Sequence, residues 1–384
     1  MPPVWIAIAV SAFVVQGAAW VWVAAGLRRV RDQAEGRGEP ERRGEPDGQA
    51  LSVVVAAHNE AGRLPALLDA LAAQTWRPFE VIVVDDRSTD GTAELVRQRA
   101  EAFPVPLREV SVAEGAPEAA GLPPKKHALT RGVEAATSGR VVCTDADGRP
   151  GPDWLATVAG FATAPGGPDD EAVWVGYGPY VEAPGWLNRF VRYETLQTAV
   201  LAAAAIGHGR PWHAVGRNLS VPTALLARLG YAHSAASLSG DDDLLVQEVA
   251  RRGVAPVGYL WSRDAAVPSP APADAGAFWR QKRRHASAGT HYAAGVLAAL
   301  GLFHTSNLVL WLAAPLAHVL TGHPLGWGLV AAKLLLQRTV LVSALDDLGD
   351  EPDLRIWQPV LDALSAGYHA VLAVLGALPA PRRW

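Results

Sequence analysis

Residues 51–60 read Leu51-Ser52-Val53-Val54-Val55-Ala56-Ala57-His58-Asn59-Glu60, an apolar, β-branched run that stops on three polar residues. An uninterrupted run of this kind predicts a strand covered on both faces, as in parallel sheets. The pattern returns twice. Phe79 to Val84 runs into Asp85-Asp86-Arg87-Ser88-Thr89-Asp90-Gly91, and Arg140 to Thr144 runs into Asp145-Ala146-Asp147. Between these strands Leu64, Leu67, Leu68 and Leu71 stand at helical spacing. Further helices are expected from Thr92 to Glu101 and from Lys126 to Ala136, with another strand at Leu107 to Val112. Strands alternating with helices predict an α/β fold, a mainly parallel sheet flanked by helices. Ligands of such sheets sit beyond the carboxyl ends of the strands, where the polar clusters gather.

Outside this region the chain changes character. It has 384 residues, 50% of them hydrophobic, and long apolar runs at both ends carry much of that share. Val4 to Leu27 has no charge and is long enough to span a bilayer. Arg28, Arg29 and Arg31 follow at once, the reverse of a secretory signal. The positive-inside rule then puts the following residues in the cytoplasm. Ala293 to Leu320, Leu325 to Leu345 and Pro359 to Leu378 are further candidate spans. Lys333 and Arg338 interrupt the middle one, which admits an interfacial placement instead. The expected organisation is an anchor over 1–28, a flexible Glu/Arg/Gly/Pro-rich linker over 29–50, a folded domain over 51–290, and about two to three C-terminal transmembrane or interfacial helices over 291–384. A net charge of -4 offers nucleic acid no global field, and one cysteine, Cys143, excludes an internal disulfide framework. The sequence also lacks a Walker-type loop, a dinucleotide glycine fingerprint and zinc-type His-Glu spacing.

Each acidic cluster admits more than one role. Asp145 and Asp147, two residues apart past a buried strand, can share a hard cation, Mg2+ or Mn2+, and leave positions for a diphosphate. They can equally form a turn or cap pair. Asp85 and Asp86 suit a base and ribose, a second metal, or a turn, and nucleotide binding is favoured for Asp86. Lys126, at a helix start, can offset phosphate charge or stand in solvent. In Gly240-Asp241-Asp242-Asp243 three adjacent acids repel one another, which raises the chance of a shifted pKa and a base. Helix capping also claims one or two of them. Arg280-Gln281-Lys282-Arg283-Arg284-His285 lies before the first C-terminal apolar run and can hold lipid headgroups or clamp a diphosphate.

Taken in order, Ala57-His58-Asn59-Glu60, Val84 to Thr92, Asp145-Ala146-Asp147, Asp241 in its acidic run, and Gln281 to His285 resemble the membrane-bound family 2 glycosyltransferases of the GT-A fold. The resemblance covers about Leu51 to Ala288. It implies that His58, Glu60 and Asp86 contact the nucleotide of a donor, and that Asp145 and Asp147 belong to the metal and diphosphate site. Asp241 matches the family's base, with Asp242 a rival because Gly240 stands where the family often has Glu. Gln281 and Arg284 match the Gln-x-x-Arg-Trp motif, but His285 replaces its Trp, which counts against polymer synthesis. Gly216-Arg217-Asn218-Leu219 is similar to a segment near the acceptor in lipid glycosyltransferases such as ceramide and carotenoid glucosyltransferases.

The resulting expectation is an inverting hexosyltransferase in the cell membrane, its catalytic domain cytoplasmic. It would move a sugar from a nucleotide-sugar, a UDP-sugar by preference, to a lipid acceptor. Asp241 or Asp242 would be the base. Donor contacts would come from His58, Glu60, Asp85, Asp86, Lys126 and Asp145, the metal from Asp145 and Asp147, and diphosphate or acceptor contacts from Gln281, Arg284 and His285. A polysaccharide synthase of the same family and a catalytically silent membrane scaffold are the alternatives.

Overall fold

The structure, a computed structural model, describes residues 2–35, 50–116, 120–162 and 171–376. Most of the expected linker, residues 36–49, and the end of the last expected span, from 377 on, lie outside the described residues. The chain forms two compact units, interleaved in sequence. One comprises Val30–Val181 and Gly209–Pro270; the other comprises Met1–Arg29, Glu182–His208 and Ala271–Trp384.

The first unit is built on a seven-stranded sheet of order β3-β2-β1-β4-β6-β5-β7. Its strands are β1 (Leu51–Ala57), β2 (Phe79–Asp85), β3 (Leu107–Ser111), β4 (Arg140–Asp145), β5 (Val173–Gly176), β6 (Leu219–Pro222) and β7 (Val257–Leu260). β1 lies in parallel between β2 and β4, and β2 pairs in parallel with β3. Only β6 runs against its neighbours β4 and β5. Every residue of β2 is buried, as the continuous apolar run requires of a strand covered on both sides. Register brings the acids level: Ala57 stands opposite Asp85, and Ala56 opposite Asp145.

Helices α2 (Leu64–Ala72), α3 (Thr92–Ala100), α4 (Pro124–Ala135) and α5 (Trp154–Ala162) belong with this sheet. Leu64, Leu67, Leu68 and Leu71 form the buried stripe of α2, joined in one core by Val53, Val55, Val83, Trp154 and Phe161. α4 crosses β1 at Gly132, where a Cβ would lie 2.3 Å from Val54 Cγ1, so only glycine permits that approach. α7 (Thr223–Leu229) and α8 (Asp243–Arg252) complete the unit.

The second unit is helical: α1 (Pro2–Ala34) up to Arg29, α6 (Trp186–Gly207), α9 (Ala275–Gly289), α10 (Ala294–Thr321), α11 (Leu325–Leu348) and α12 (Pro352–Gly376). Among the described residues three helices are long and apolar enough to cross a membrane: Val4–Ala34, Ala294–Thr321 and Leu325–Leu348. That is one N-terminal and two C-terminal candidates. α12, which carries Asp353, Arg355 and Asp362, is not among them.

Lys333, whose charge argued for an interfacial α11, is 1% exposed and 2.6 Å from Asp362 Oδ2 on α12. Its ammonium also donates to Gln337 Oε1 at 2.8 Å, and Trp311 Nε1 donates to the same Asp362 oxygen at 2.7 Å. The charge therefore faces protein and is paired. Gln337 donates onward to the Tyr193 hydroxyl of α6 at 2.8 Å. α6 is thus a buried element of this helical unit. Gly26 of α1 approaches the Ala-rich half of α6 so closely that a Cβ there would meet Ala204 O at 2.3 Å. At its other end Arg192 forms an ion pair with Glu351 at 2.8 Å and with Asp353 at 3.0 Å.

Candidate active site

The carboxyl ends of β1, β2 and β4 carry the candidate site. The two edges of the sheet differ sharply in how acids are treated. Near the amino ends, Glu80 accepts from Ser52 Oγ, Thr137 N, Thr137 Oγ1 and Arg108 Nη2, all at 2.6–2.7 Å. Burial pushes its pKa up, but these bonds outweigh burial and hold it below the ordinary value. Such a saturated carboxylate is structural. At the carboxyl ends, buried Asp85 Oδ1 and Glu60 Oε2 have no hydrogen-bond partner.

After β1 the chain turns through Asn59 in the left-handed region, φ 57°. The turn is fixed by the segment after β2. Asn59 N donates to Ser88 Oγ, Glu60 N to Thr92 Oγ1 and Ala61 N to Asp90 Oδ2, at 2.8–3.0 Å. His58 Nδ1 lies 2.6 Å from the Asp86 carbonyl. Ser88, Asp90 and Thr92 are therefore turn and cap residues that hold His58, Asn59 and Glu60 in place. Asp86 is buried and pairs with Arg87 Nε at 2.8 Å. Asp85 accepts from Ser88 N at 3.2 Å through Oδ2, while its buried Oδ1 has no hydrogen-bond partner.

Glu60, Asp145 and Asp147 share one electrostatic field. Burial raises the pKa of Asp147, and Asp145 raises it further against the opposing charges of Arg217 and Arg63. Burial likewise raises Glu60, with Arg63 opposing and Asp147 and Asp145 adding to it. Glu60 Oε2 is buried without a close hydrogen-bond partner and lies 3.5 Å from Arg63 Nη1. Mutually repelling carboxylates of this kind fit a hard divalent cation with oxygen ligands. Among the described residues no cluster of three His, Cys, Asp or Glu forms a ready cage, so substrate oxygens would have to complete the coordination.

The acidic run Asp241-Asp242-Asp243 divides its labour. Asp242 caps α8, accepting from Asp243 N at 2.8 Å, and takes Gly216 N on its other oxygen at 2.7 Å. Asp243 takes Ala214 N at 2.9 Å and His213 Nδ1 at 2.8 Å. Burial, then Asp243 and Asp241, push Asp242 up to about 7. Asp241, 7% exposed, instead reaches Lys125 Nζ at 2.9 Å through Oδ2. The same ammonium lies 3.1 Å from Asp145 Oδ1. Gly216 faces this junction: a Cβ there would sit 3.2 Å from Asp242 Oδ2, 3.3 Å from Asp241 Oδ2 and 3.4 Å from Lys125 Nζ.

Lys126 does not face the acids with its neighbour. It is fully buried and donates to the carbonyls of Ser234, Ser237 and Ser239 at 2.6, 2.9 and 2.9 Å. All three of its protons are engaged, so it fastens the 234–239 loop, and Lys125 is the cation at the site. Arg217 donates to the carbonyls of Gly178, Pro179 and Val267 and lies 5.0 Å over the Tyr180 ring. Asn218, fully buried, donates to Tyr177 O at 2.8 Å and Ala265 O at 2.7 Å and accepts from Trp154 Nε1 at 3.2 Å. The segment 216–218 thus builds the wall beside the acids.

Gln281, Arg284 and His285 stand on α9, in the helical unit. The structure brings them together on one helix. In that unit Lys282 pairs with Glu194 of α6 at 2.5 Å.

Residues 52–197 match the family described as Glycosyl transferase family 2. The 4,4'-diaponeurosporenoate glycosyltransferase of Staphylococcus haemolyticus is 50% identical over 50 residues, 13% of each chain. The undecaprenyl-phosphate 4-deoxy-4-formamido-L-arabinose transferase of Aeromonas hydrophila is 44% identical over 57 residues, 14% of this chain and 18% of that one. These matches cover less than a third of the relatives' own length. In structure the chain is similar to a mannosyltransferase of Pyrobaculum calidifontis solved with GDP-Man and Mn2+, with TM-score 0.55 and 22% identity over 96% of this chain and 98% of that one. That likeness establishes the fold.

Proposed function

We propose that the chain, whose residues 52–197 match the family described as Glycosyl transferase family 2, transfers a hexose from a nucleotide-sugar to the hydroxyl of a membrane lipid, with inversion. One observation carries the assignment of the base. Asp241 is buried beside Asp145 with its carboxylate on Lys125, while Asp242 and Asp243 are engaged by backbone N–H groups. A carboxylate free of capping duty is the one that can take a proton from the attacking hydroxyl. Attack by that hydroxyl on the anomeric carbon inverts the centre in one step, and no enzyme nucleophile is required. His58, Asp85 and Asp86 would hold the base and ribose, Asp85 through its open Oδ1. Asp145 and Asp147 would hold Mg2+ or Mn2+, with Glu60 nearby; bound there, the ion supplies positive charge for the departing diphosphate. Gln281, Arg284 and His285 of α9 would serve the diphosphate or the acceptor.

Support for a lipid acceptor comes from the three apolar helices and from the undecaprenyl-phosphate named in one relative. The Mn2+ and GDP-Man of the Pyrobaculum enzyme support the metal and the donor class. The proposed organisation is an anchor over 1–28, a linker, a catalytic domain over 51–290 facing the cytoplasm, and C-terminal helices beyond it. The test is to give membranes containing the full chain a panel of radiolabelled nucleotide-sugars with Mn2+ and to extract the lipids. Label should enter the organic phase, and Asp241→Asn should reduce it roughly a hundred- to ten-thousand-fold while donor affinity is kept. Activity retained in Asp241→Asn but lost in Asp242→Asn would move the base to Asp242. No lipid label with any donor would sink the reading.

A further inference from the structure

One cation in the site has no assigned duty. Lys125 stands between two acids with different tasks, 3.1 Å from Asp145 Oδ1 and 2.9 Å from Asp241 Oδ2. Its side chain is largely buried, 21% exposed. The remaining surroundings are acidic too, since the Cβ position of Gly216 is within 3.4 Å of Lys125 Nζ, Asp241 Oδ2 and Asp242 Oδ2 alike. The adjacent Lys126 cannot substitute for it, because its three protons go to carbonyls. Lys125 thus joins these two acids.

We propose that Lys125 is an internal counter-ion that holds Asp145 in the absence of a divalent cation and yields that carboxylate when the cation binds, remaining on Asp241 to position the base. The inference rests on the reading of Asp145 as a metal ligand and Asp241 as the base. Its physical basis is competition. Two cations cannot both take full advantage of one carboxylate oxygen, so Lys125 and the metal oppose each other at Asp145. Such opposition is a coupling free energy, and couplings of this kind commonly change affinity about 5–150-fold. On Asp241 the same ammonium has the opposite value. It keeps the carboxylate aimed, without being consumed. Lys125 is therefore a positioning residue, and removing its charge should tighten metal binding while weakening turnover. A residue with a merely structural role would weaken both.

The experiment uses the full chain purified in detergent, with Mn2+ alone as the probe, followed by electron paramagnetic resonance or calorimetry in the absence of any nucleotide. Lys125→Met should bind Mn2+ roughly tenfold more tightly than wild type. Lys125→Arg keeps the charge and should keep wild-type Mn2+ affinity. With saturating donor and Mn2+, Lys125→Met should lose at least about tenfold in kcat, with the donor KM changed much less. Where Lys125→Met does not fold, Lys125→Gln takes its place, since it keeps hydrogen-bond donors without the charge. Unchanged or weaker Mn2+ binding in the charge-removing variant overturns the proposal. Failure of wild-type membranes to use any nucleotide-sugar would instead overturn the reading of function and leave the Mn2+ comparison intact.

Discussion

Lys333→Met removes the ammonium from a carboxylate that has no water to turn to. Asp362 is 0% exposed, and Lys333 is its cation at 2.6 Å. After the substitution Trp311 Nε1 would still reach Oδ2 at 2.7 Å and the Tyr193 hydroxyl Oδ1 at 3.4 Å. The carboxylate would keep two neutral donors and lose its compensating charge. Breaking a buried pair from one side costs about 3–5 kcal/mol, and the surviving donors put this case near the lower end, about 3 kcal/mol. Lys333→Met with Asp362→Asn removes both charges, and because uncharged replacements of buried pairs are often neutral, it should restore most of that loss. The assay is a double-mutant cycle on the full chain in detergent, with unfolding followed by tryptophan fluorescence. The double variant should be more stable than Lys333→Met by about 2 kcal/mol. Should Lys333→Met prove as stable as wild type, or the double variant no better, the pair does not carry the charge in α11, and the placement of that helix as a spanning element loses its physical basis.

Two further predictions concern the sheet unit. Lys126→Met leaves two buried carbonyls and one partly buried carbonyl without their donor and should cost roughly 3 kcal/mol, seen as protease cleavage within 234–239 at temperatures where wild type resists. Lys125→Met, whose ammonium pairs with Asp145 and Asp241, should not open that loop. Stability should also depend on pH through Asp242, whose folded pKa is raised to about 7 by burial and by Asp243 and Asp241. A carboxyl raised in this way contributes stability that is fully present below its unfolded pKa, about 4, and is lost as pH rises through about 7. Asp242→Asn should flatten that part of the profile, measured by thermal unfolding between pH 4 and 8; an unchanged slope would assign the dependence to other groups.

The central strands were legible because they are long and apolar, and β1, β2 and β4 end within a residue of where the pattern ends. β5, β6 and β7 were not foreseen. Each has four residues, too few for periodicity to distinguish a strand from a buried loop. Acid positions were equally clear, since they follow strand ends, but the division among Asp241, Asp242 and Asp243 needed the backbone donors of Ala214 and Gly216, which are nearly thirty residues away. The lysine pair shows the limit most plainly. The expected helix began at Lys126, whereas α4 begins at Pro124. Two adjacent helical residues point about a third of a turn apart, so an error of two residues at the start exchanges which lysine faces the acids. Lys333 left the reading open for another reason: a charge in an apolar run reads as a break unless its partner is known, and Asp362 lies 29 residues further on.

The interleaving of the two units bears on how the protein is made. α6 leaves the ribosome long before the helices that enclose it. Tyr193 must wait for Asp362, 169 residues later, and Arg192 must wait for Glu351 and Asp353. At ordinary synthesis rates of 5–20 residues per second that delay is roughly ten to thirty seconds. Throughout it the arginine lacks Glu351 and Asp353 and the tyrosine lacks Asp362, so the nascent helix offers a handle to chaperones and quality-control proteases until translation reaches α12. A chain released early, at Leu348 for example, would carry a finished sheet and its acids yet still be marked as incomplete by α6.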